Sequence, residues 1–270
     1  MNAEGLAKAV QDVPLLEIRN GTKRFGGLTA VGDVSFKVNE GEILGLIGPN
    51  GAGKSTLFNL LTGVAPLTSG DILLSGNSIA AMPLYKRPSI GMSRTFQIVR
   101  LFNGMTVLEN VLMGYHPLLA DGLLRSLFGL GHTLRQEQRS IDLAMEMLGF
   151  VGLAELAHEE ISHLPHGKQR LVEIARALAI EPRMLLVDEP AAGLNSQETA
   201  NLGRMLRELN ARGVTVLIVE HDIDFIMGLC DRIVVLDHGT KIAEGLPSAI
   251  QTNEQVIEAY LGRRNKNAAG

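Results

Sequence analysis

Gly48-Pro49-Asn50-Gly51-Ala52-Gly53-Lys54-Ser55-Thr56 is the stretch whose reading decides the fold. It fits the phosphate-binding spacing G-x-x-x-x-G-K-[ST], with Gly48, Gly53, Lys54 and Ser55 at the fixed positions. Glycines let the backbone turn sharply and bring N–H groups close to phosphate oxygens. Lys54 sets a point charge against the β- and γ-phosphates. Ser55 offers a hydroxyl to Mg²⁺, which prefers hard oxygen ligands. Before the loop, Glu42-Ile43-Leu44-Gly45-Leu46-Ile47 is an apolar run of the buried-strand kind. After it, Thr56-Leu57-Phe58-Asn59-Leu60-Leu61-Thr62 reads as a helix stopped by Gly63. The loop therefore opens a helix, where free N–H groups and the dipole attract anions.

Working outward, the pattern alternates strand and helix. Leu15–Arg19 and Val34–Val38 read as strands, with Lys23-Arg24-Phe25-Gly26-Gly27 between them. Phe25 is either an exposed aromatic platform for a purine ring or a core residue at a hairpin. Gly70–Gly76 is a strand bounded by turn residues, and Ile90–Gln97 returns as another, ending in a polar residue. From Thr106 to about Ile180 the period is helical: Val107, Val111 and Leu112 share one face, and Ile141, Ala144, Met145 and Leu148 share another. Met184-Leu185-Leu186-Val187 is a strand of the parallel-sheet kind. A helix over 197–212, a strand over 214–219, a short helix from Ile223 and a strand over 233–236 follow. Asp237-His238-Gly239 turns into 240–244, and a terminal helix covers about 253–261.

Asp188-Glu189 follows the strand at 184–187. Strands of open α/β sheets end at the ligand crevice, which predicts both carboxylates beside the phosphate loop. Asp188 is placed to hold Mg²⁺, and Glu189 to polarise a water in line with the γ-phosphate. His221 follows the strand over 214–219 and by the same topology reaches the crevice, where a neutral imidazole would contact a γ-phosphate oxygen.

The totals narrow the class. A chain of 270 residues with 46% hydrophobic and 20% charged residues is an ordinary folded one. A net charge of −4 gives no electrostatic case for nucleic acid. The single cysteine, Cys230, excludes an intrachain disulfide and reads as a buried thiol. Residues 1–13 lack the features of a signal peptide. No run of about 18 uncharged apolar residues appears, so a cytoplasmic chain is expected.

These elements in this order resemble the ATP-binding cassette (ABC) ATPases over about residues 15–261. The resemblance implies an α/β phosphate-loop NTPase core with an antiparallel β subdomain and an inserted α-helical subdomain. It implies a flexible tail over 1–14, one domain over 15–262 and a tail over 263–270. Within that domain, 15–97 and 181–262 form the core and about 98–180 the helical lobe. Phe25 matches the family's adenine-stacking aromatic, Gly48–Thr56 its Walker A motif, and Gln97 the glutamine that contacts Mg²⁺ and senses the γ-phosphate. Leu185–Glu189 match Walker B with its catalytic glutamate, Asn195 falls in the D-loop, and His221 is the switch histidine. The diagnostic signature, usually Leu-Ser-Gly-Gly-Gln, falls on Leu164-Pro165-His166-Gly167-Lys168. Pro165 replaces the serine and supplies neither hydroxyl nor N–H; Lys168 either compensates by attracting phosphate or simply faces solvent.

A Leu-Pro-aromatic-Gly signature, Glu-Pro-Ala-Ala-Gly-Leu-Asn and the ending Ala259-Tyr260-Leu261-Gly262 are similar to the ATPases of branched-chain amino-acid importers. That subgroup implies ATP and Mg²⁺ as cofactors and a head-to-tail dimer, homomeric or with a paralogous ATPase. It also implies two integral membrane permease subunits, a periplasmic or extracellular solute-binding protein acting through them, and a peripheral place on the inner face of the membrane. A lipopolysaccharide-export ATPase and a soluble non-transport cassette ATPase are the alternatives; Pro165-His166 speaks against the first.

Overall fold

In the computed structural model, residues 13–95, 101–115 and 133–267 are described. In chain order the elements are β1 (Leu16–Phe25), β2 (Leu28–Val38), β3 (Ile43–Ile47), α1 (Lys54–Leu61), β4 (Ser69–Leu74), β5 (Asn77–Ser78) and β6 (Met92–Arg94). Then come α2 (Val107–Leu112), α3 (Thr133–Phe150), α4 (His166–Leu178), β7 (Met184–Asp188), α5 (Ser196–Ala211) and β8 (Thr215–Val219). The chain closes with α6 (Ile223–Leu229), β9 (Arg232–Asp237), β10 (Thr240–Gly245), α7 (Pro247–Gln251) and α8 (Glu254–Asn267). They divide into two compact units, one built up to Pro83 and from Leu209 onward, the other over Leu84–Glu208.

The first unit holds two kinds of sheet. β2-β1-β4-β5 is antiparallel throughout, with Leu16 facing Val38 on one side and Leu74 on the other. Its buried positions alternate along β1 and β2, as one covered face requires. β3 instead lies between β8 and β9 in parallel register, Leu46 opposite Val219 and Val234. All five of its residues are buried, which explains its unbroken apolar sequence. Cys230 closes α6 beneath this strand: a Cβ added to Gly45 would lie 2.9 Å from its Sγ. The thiol is buried.

The second unit pairs β6 with β7 in parallel and carries the helical lobe. Val107 and Val111 of α2, Ala144 and Leu148 of α3, and Val172 and Ala175 of α4 form its core. The first four are the faces read from the 3.6-residue period, and Leu112 and Met145 pack at the margin. α2 starts on a capping box: Thr106 Oγ1 accepts from Glu109 N–H at 3.2 Å, and Glu109 Oε2 accepts from Thr106 N–H at 2.7 Å. The Thr106 N–H and, at 2.9 Å, the Thr106 hydroxyl both donate to Glu109 Oε2 and hold that carboxyl below its usual pKa. Buried Asn110 ties the preceding loop to α2, its Oδ1 accepting from Phe102 N–H at 2.7 Å. No described helix is long and apolar enough to cross a membrane.

Candidate nucleotide-binding and catalytic site

Buried β3 ends at Ile47, and the chain turns at once into the glycine loop. Gly48 has φ 155°, and a Cβ there would stand 2.2 Å from the Leu236 carbonyl oxygen at the end of β9. Gly53 has φ 98°, and its Cβ would meet the Ala30 carbonyl at 2.6 Å. Neither position admits a side chain. The β9–β10 turn clamps the loop from outside: Gly239 N–H donates to Ala52 O at 2.9 Å, and Gly32 N–H to Gly239 O at 2.8 Å.

α1 begins at Lys54 with no side-chain cap. The N–H groups of Lys54, Ser55 and Thr56 therefore have no acceptor within the helix, the condition for an anion site. Lys54 is only 7% exposed, and its Nζ donates to the Gly48 carbonyl at 2.6 Å and the Pro49 carbonyl at 3.1 Å. The ammonium is thus folded onto its own loop. Asn50, Gly51 and Ser55 are exposed, whereas Pro49 and Ala52 are buried supports.

Two more expected residues belong to this unit. Phe25 is 55% exposed at the β1–β2 hairpin, which rules out the core reading; Lys23 Nζ stands 5.0 Å from its ring centroid. His221 follows β8, and β8 pairs in parallel with β3, so His221 and Gly48 leave neighbouring strands at the same end. Its side chain is 60% exposed. Its backbone N–H donates to Glu220 Oε2 at 3.0 Å, and its Nδ1 lies 3.5 Å from the same oxygen. Glu220 is fully buried.

In the second unit, β7 runs buried to Asp188. Asp188 N–H donates to Thr95 Oγ1 at 3.2 Å, and its carbonyl accepts from Arg170 Nη1 of α4 at 3.5 Å. The next residue, Glu189, has φ 45°, a left-handed backbone uncommon away from glycine and concentrated at functional sites. Two tight turns follow, Ala192 N–H to Glu189 O at 3.3 Å and Leu194 N–H to Ala191 O at 3.1 Å. Asn195 then caps α5 reciprocally: its Oδ1 accepts from Glu198 N–H at 3.0 Å, and Glu198 Oε2 accepts from Asn195 N–H at 2.9 Å.

The signature stretch opens α4 on Pro165, again with no side-chain cap. Leu164 is packed into the helical core, and its carbonyl accepts from Gln169 Nε2 at 3.0 Å. Gly167 lies against the loop before α5, where a Cβ would come 3.2 Å from Leu194 Cδ2. Lys168 is exposed in the first turn. Gln97 lies outside the described residues. Thr95, Arg170 and Glu220, which hold these groups, were not singled out by sequence. The clue at two of them was proximity: Thr95 stands two residues before Gln97, and Glu220 directly precedes His221.

A buried parallel strand, a glycine loop with no room for side chains and an uncapped helix N-terminus define phosphate-loop nucleotide binding. The family profile described as "ABC transporter" matches residues 31–192, and that described as "Branched-chain amino acid ATP-binding cassette transporter" matches 240–264. The high-affinity branched-chain amino acid transport ATP-binding protein LivG of Salmonella typhimurium is 45% identical over 92% of this chain and 98% of its own. The corresponding BraF of Pseudomonas aeruginosa is 44% identical over the same shares. Among solved structures, a nucleotide-free ATP-binding cassette from an ABC transporter superposes with TM-score 0.80 at 34% identity. It covers 91% of this chain and 98% of its own. An ATP-binding cassette in its ADP conformation gives 0.79 at 32% identity, over 92% and 98%. The chain belongs to the ABC transporter family, as an ATP-binding, nucleotide-hydrolysing domain.

Proposed function

We propose that this chain is the ATP-hydrolysing subunit of an importer for branched-chain amino acids or closely related small polar solutes. The match of residues 240–264 to the branched-chain profile carries this reading, because that segment lies outside the general cassette match at 31–192. The named relatives are transport ATP-binding proteins over nearly their full length, which supports it further. The lipopolysaccharide-export and non-transport alternatives gain nothing from these relatives and are set aside.

In this reading the phosphate loop receives the β- and γ-phosphates of ATP. Entry requires Lys54 to leave the Gly48 and Pro49 carbonyls for phosphate oxygens, so one set of charge-assisted hydrogen bonds replaces another. Phe25 stacks on the adenine, its exposed ring already lying under Lys23. Mg²⁺ fits the donor chemistry, since the exposed Ser55 hydroxyl and the Asp188 carboxylate are hard oxygen ligands, with Gln97 as a third. When bound, it would offset charge on the transferring phosphoryl group.

Glu189 polarises the attacking water, and His221, oriented by Glu220, holds the γ-phosphate side. Leu164, Gly167, Lys168 and Asn195 serve the partner subunit's nucleotide in a head-to-tail dimer. ATP closes that dimer by differential binding, and loss of the γ-phosphate reopens it. The helical lobe passes the movement to two permease subunits at the membrane, which receive solute from an external binding protein.

The test is affinity capture of tagged Glu189→Gln protein, with ATP, from detergent-solubilised membranes of its own organism. Two permease subunits and a cassette ATPase partner are expected. Ribosomes, nucleic acid or an outer-membrane assembly complex in their place would overturn the importer reading.

A further inference from the structure

Where the ladder between β6 and β7 ends, a side chain continues it. Ser93 faces Leu185 and Arg94 faces Leu186 in parallel register. The flanking bonds keep the parallel pattern: Met184 N–H donates to the Gly91 carbonyl at 3.0 Å, and Thr95 N–H to the Leu186 carbonyl at 2.9 Å. The next rung of that pattern would bring the Asp188 N–H to the Thr95 carbonyl. It goes to the Thr95 hydroxyl instead, at 3.2 Å, while the Thr95 carbonyl accepts from Arg94 Nε at the same distance. The hydroxyl thus takes the place of its own main-chain carbonyl, and β6 can end without orphaning the Asp188 amide. Thr95 is 1% exposed, so bulk water does not compete for this bond.

The peptide on the other side of the Asp188 Cα is held as well, its carbonyl accepting from Arg170 Nη1 at 3.5 Å. With both flanking peptides pinned, the direction in which the Asp188 side chain leaves the backbone is set. Glu189 comes next, on a left-handed backbone that persists only where its surroundings enforce it. A turn of the preceding peptide would move it too. We propose that Thr95 is a positioning residue of the hydrolytic site: its hydroxyl fixes the Asp188 peptide and so aims both carboxylates, the metal ligand and the base. Valine in its place would leave the Asp188 N–H buried without its acceptor, and the peptide would turn in search of another.

This inference rests on the reading of Asp188 as metal ligand and Glu189 as base, and the experiment separates the two. Thr95→Val keeps the shape and removes the oxygen; Thr95→Ser keeps the oxygen and removes the methyl. Mn²⁺ binding to the full-length protein with a non-hydrolysable ATP analogue is measured by electron paramagnetic resonance, and single-turnover ATP hydrolysis alongside it. Thr95→Val should weaken Mn²⁺ and slow hydrolysis about tenfold each, as loss of one hydrogen bond does, while the metal-free analogue binds as it does to the parent. Thr95→Ser should match the parent throughout. Parent-like Mn²⁺ affinity or parent-like hydrolysis in Thr95→Val overturns the proposal. So does a loss in Thr95→Ser equal to that in Thr95→Val, or weakened binding of the metal-free analogue. Should Thr95→Val not fold, Thr95→Ala, which differs from Thr95→Ser by the oxygen alone, takes its place. If Asp188→Asn loses Mn²⁺ and Glu189→Gln loses hydrolysis, such a failure leaves the reading of the carboxylates intact. Parent-like behaviour of those two variants would overturn both.

Discussion

Glu189 holds its carboxylate on a left-handed backbone, φ 45°, directly after a buried strand. A conformation of that kind costs of order 1–3 kcal/mol and persists where the surroundings enforce it. Glutamine in its place keeps shape and backbone but cannot act as a base. Glu189→Gln is expected to bind MgATP within threefold of the parent and to hydrolyse it at least about 10²-fold more slowly. Single-turnover phosphate release checks this, and near-parental turnover would remove Glu189 from its role. Phe25→Ala should weaken ATP about tenfold and leave the melting temperature unchanged, because the ring is already 55% exposed. An unaltered affinity would return Phe25 to a surface role. The place of Glu189 after a strand could be read from a local run of residues, whereas Phe25 stood between an exposed and a core reading until its exposure decided for the first. Thr95 was not legible: the residue whose hydroxyl accepts from Asp188 N–H lies 93 positions away.

At the scale of elements, the periodicities located the strands and helices, and the ends moved. β1 and β2 extend to Phe25 and back from Leu28, a longer hairpin than the alternating pattern suggested. Bulges in β1 absorb Asn20-Gly21, which interrupts the alternation. α8 runs on to Asn267, past Gly262. One helical glycine costs about 1 kcal/mol, and the Arg263, Arg264 and Lys266 that follow favour helix.

Asn195 was expected at the nucleotide, and its side-chain oxygen is engaged in capping α5. Asn195→Ala should destabilise the protein by about 1 kcal/mol, whereas Asn195→Asp keeps the cap and should be neutral. Urea unfolding of the two variants distinguishes a cap from a pure nucleotide contact. In the helical lobe, Leu148→Ala opens a cavity in the core shared by α2, α3 and α4, and should cost about 2–5 kcal/mol. A loss below about 1 kcal/mol would mean the lobe repacks freely.

At the scale of the whole molecule, two tyrosines with buried hydroxyls are expected to weaken the fold at alkaline pH. Burial pushes Tyr115 up to about 12, with Glu181 and Glu146 adding to it, and pushes Tyr260 up to about 12 against the Gly48 N–H. The folded chain thus keeps protons that the unfolded chain releases near 10. The stability they contribute is fully present below pH about 10 and is lost as pH rises towards about 12. Thermal melting should fall across that window, and the Tyr115→Phe, Tyr260→Phe double variant should flatten the fall. An equal fall in the double variant would assign it to other groups.

The ties that complete the first unit join distant stretches: Gly239 to Ala52, and Arg232 to Glu42 at 2.7 Å. No local pattern encodes such pairings. The sheet class was readable all the same, because a strand buried on both faces advertises itself in an unbroken apolar run.

Cys230 gives this chain a built-in stopwatch. The sulfur is sealed beneath β3, close enough to Gly45 that one added methyl would touch it. A thiol reagent reaches it only when that layer parts. With no other thiol to react, the labelling rate of the unmodified protein times the opening of the parallel sheet, and its slowing by ATP would measure how firmly nucleotide holds that sheet shut. The same silence lets a cysteine placed on the surface carry a probe against almost no background.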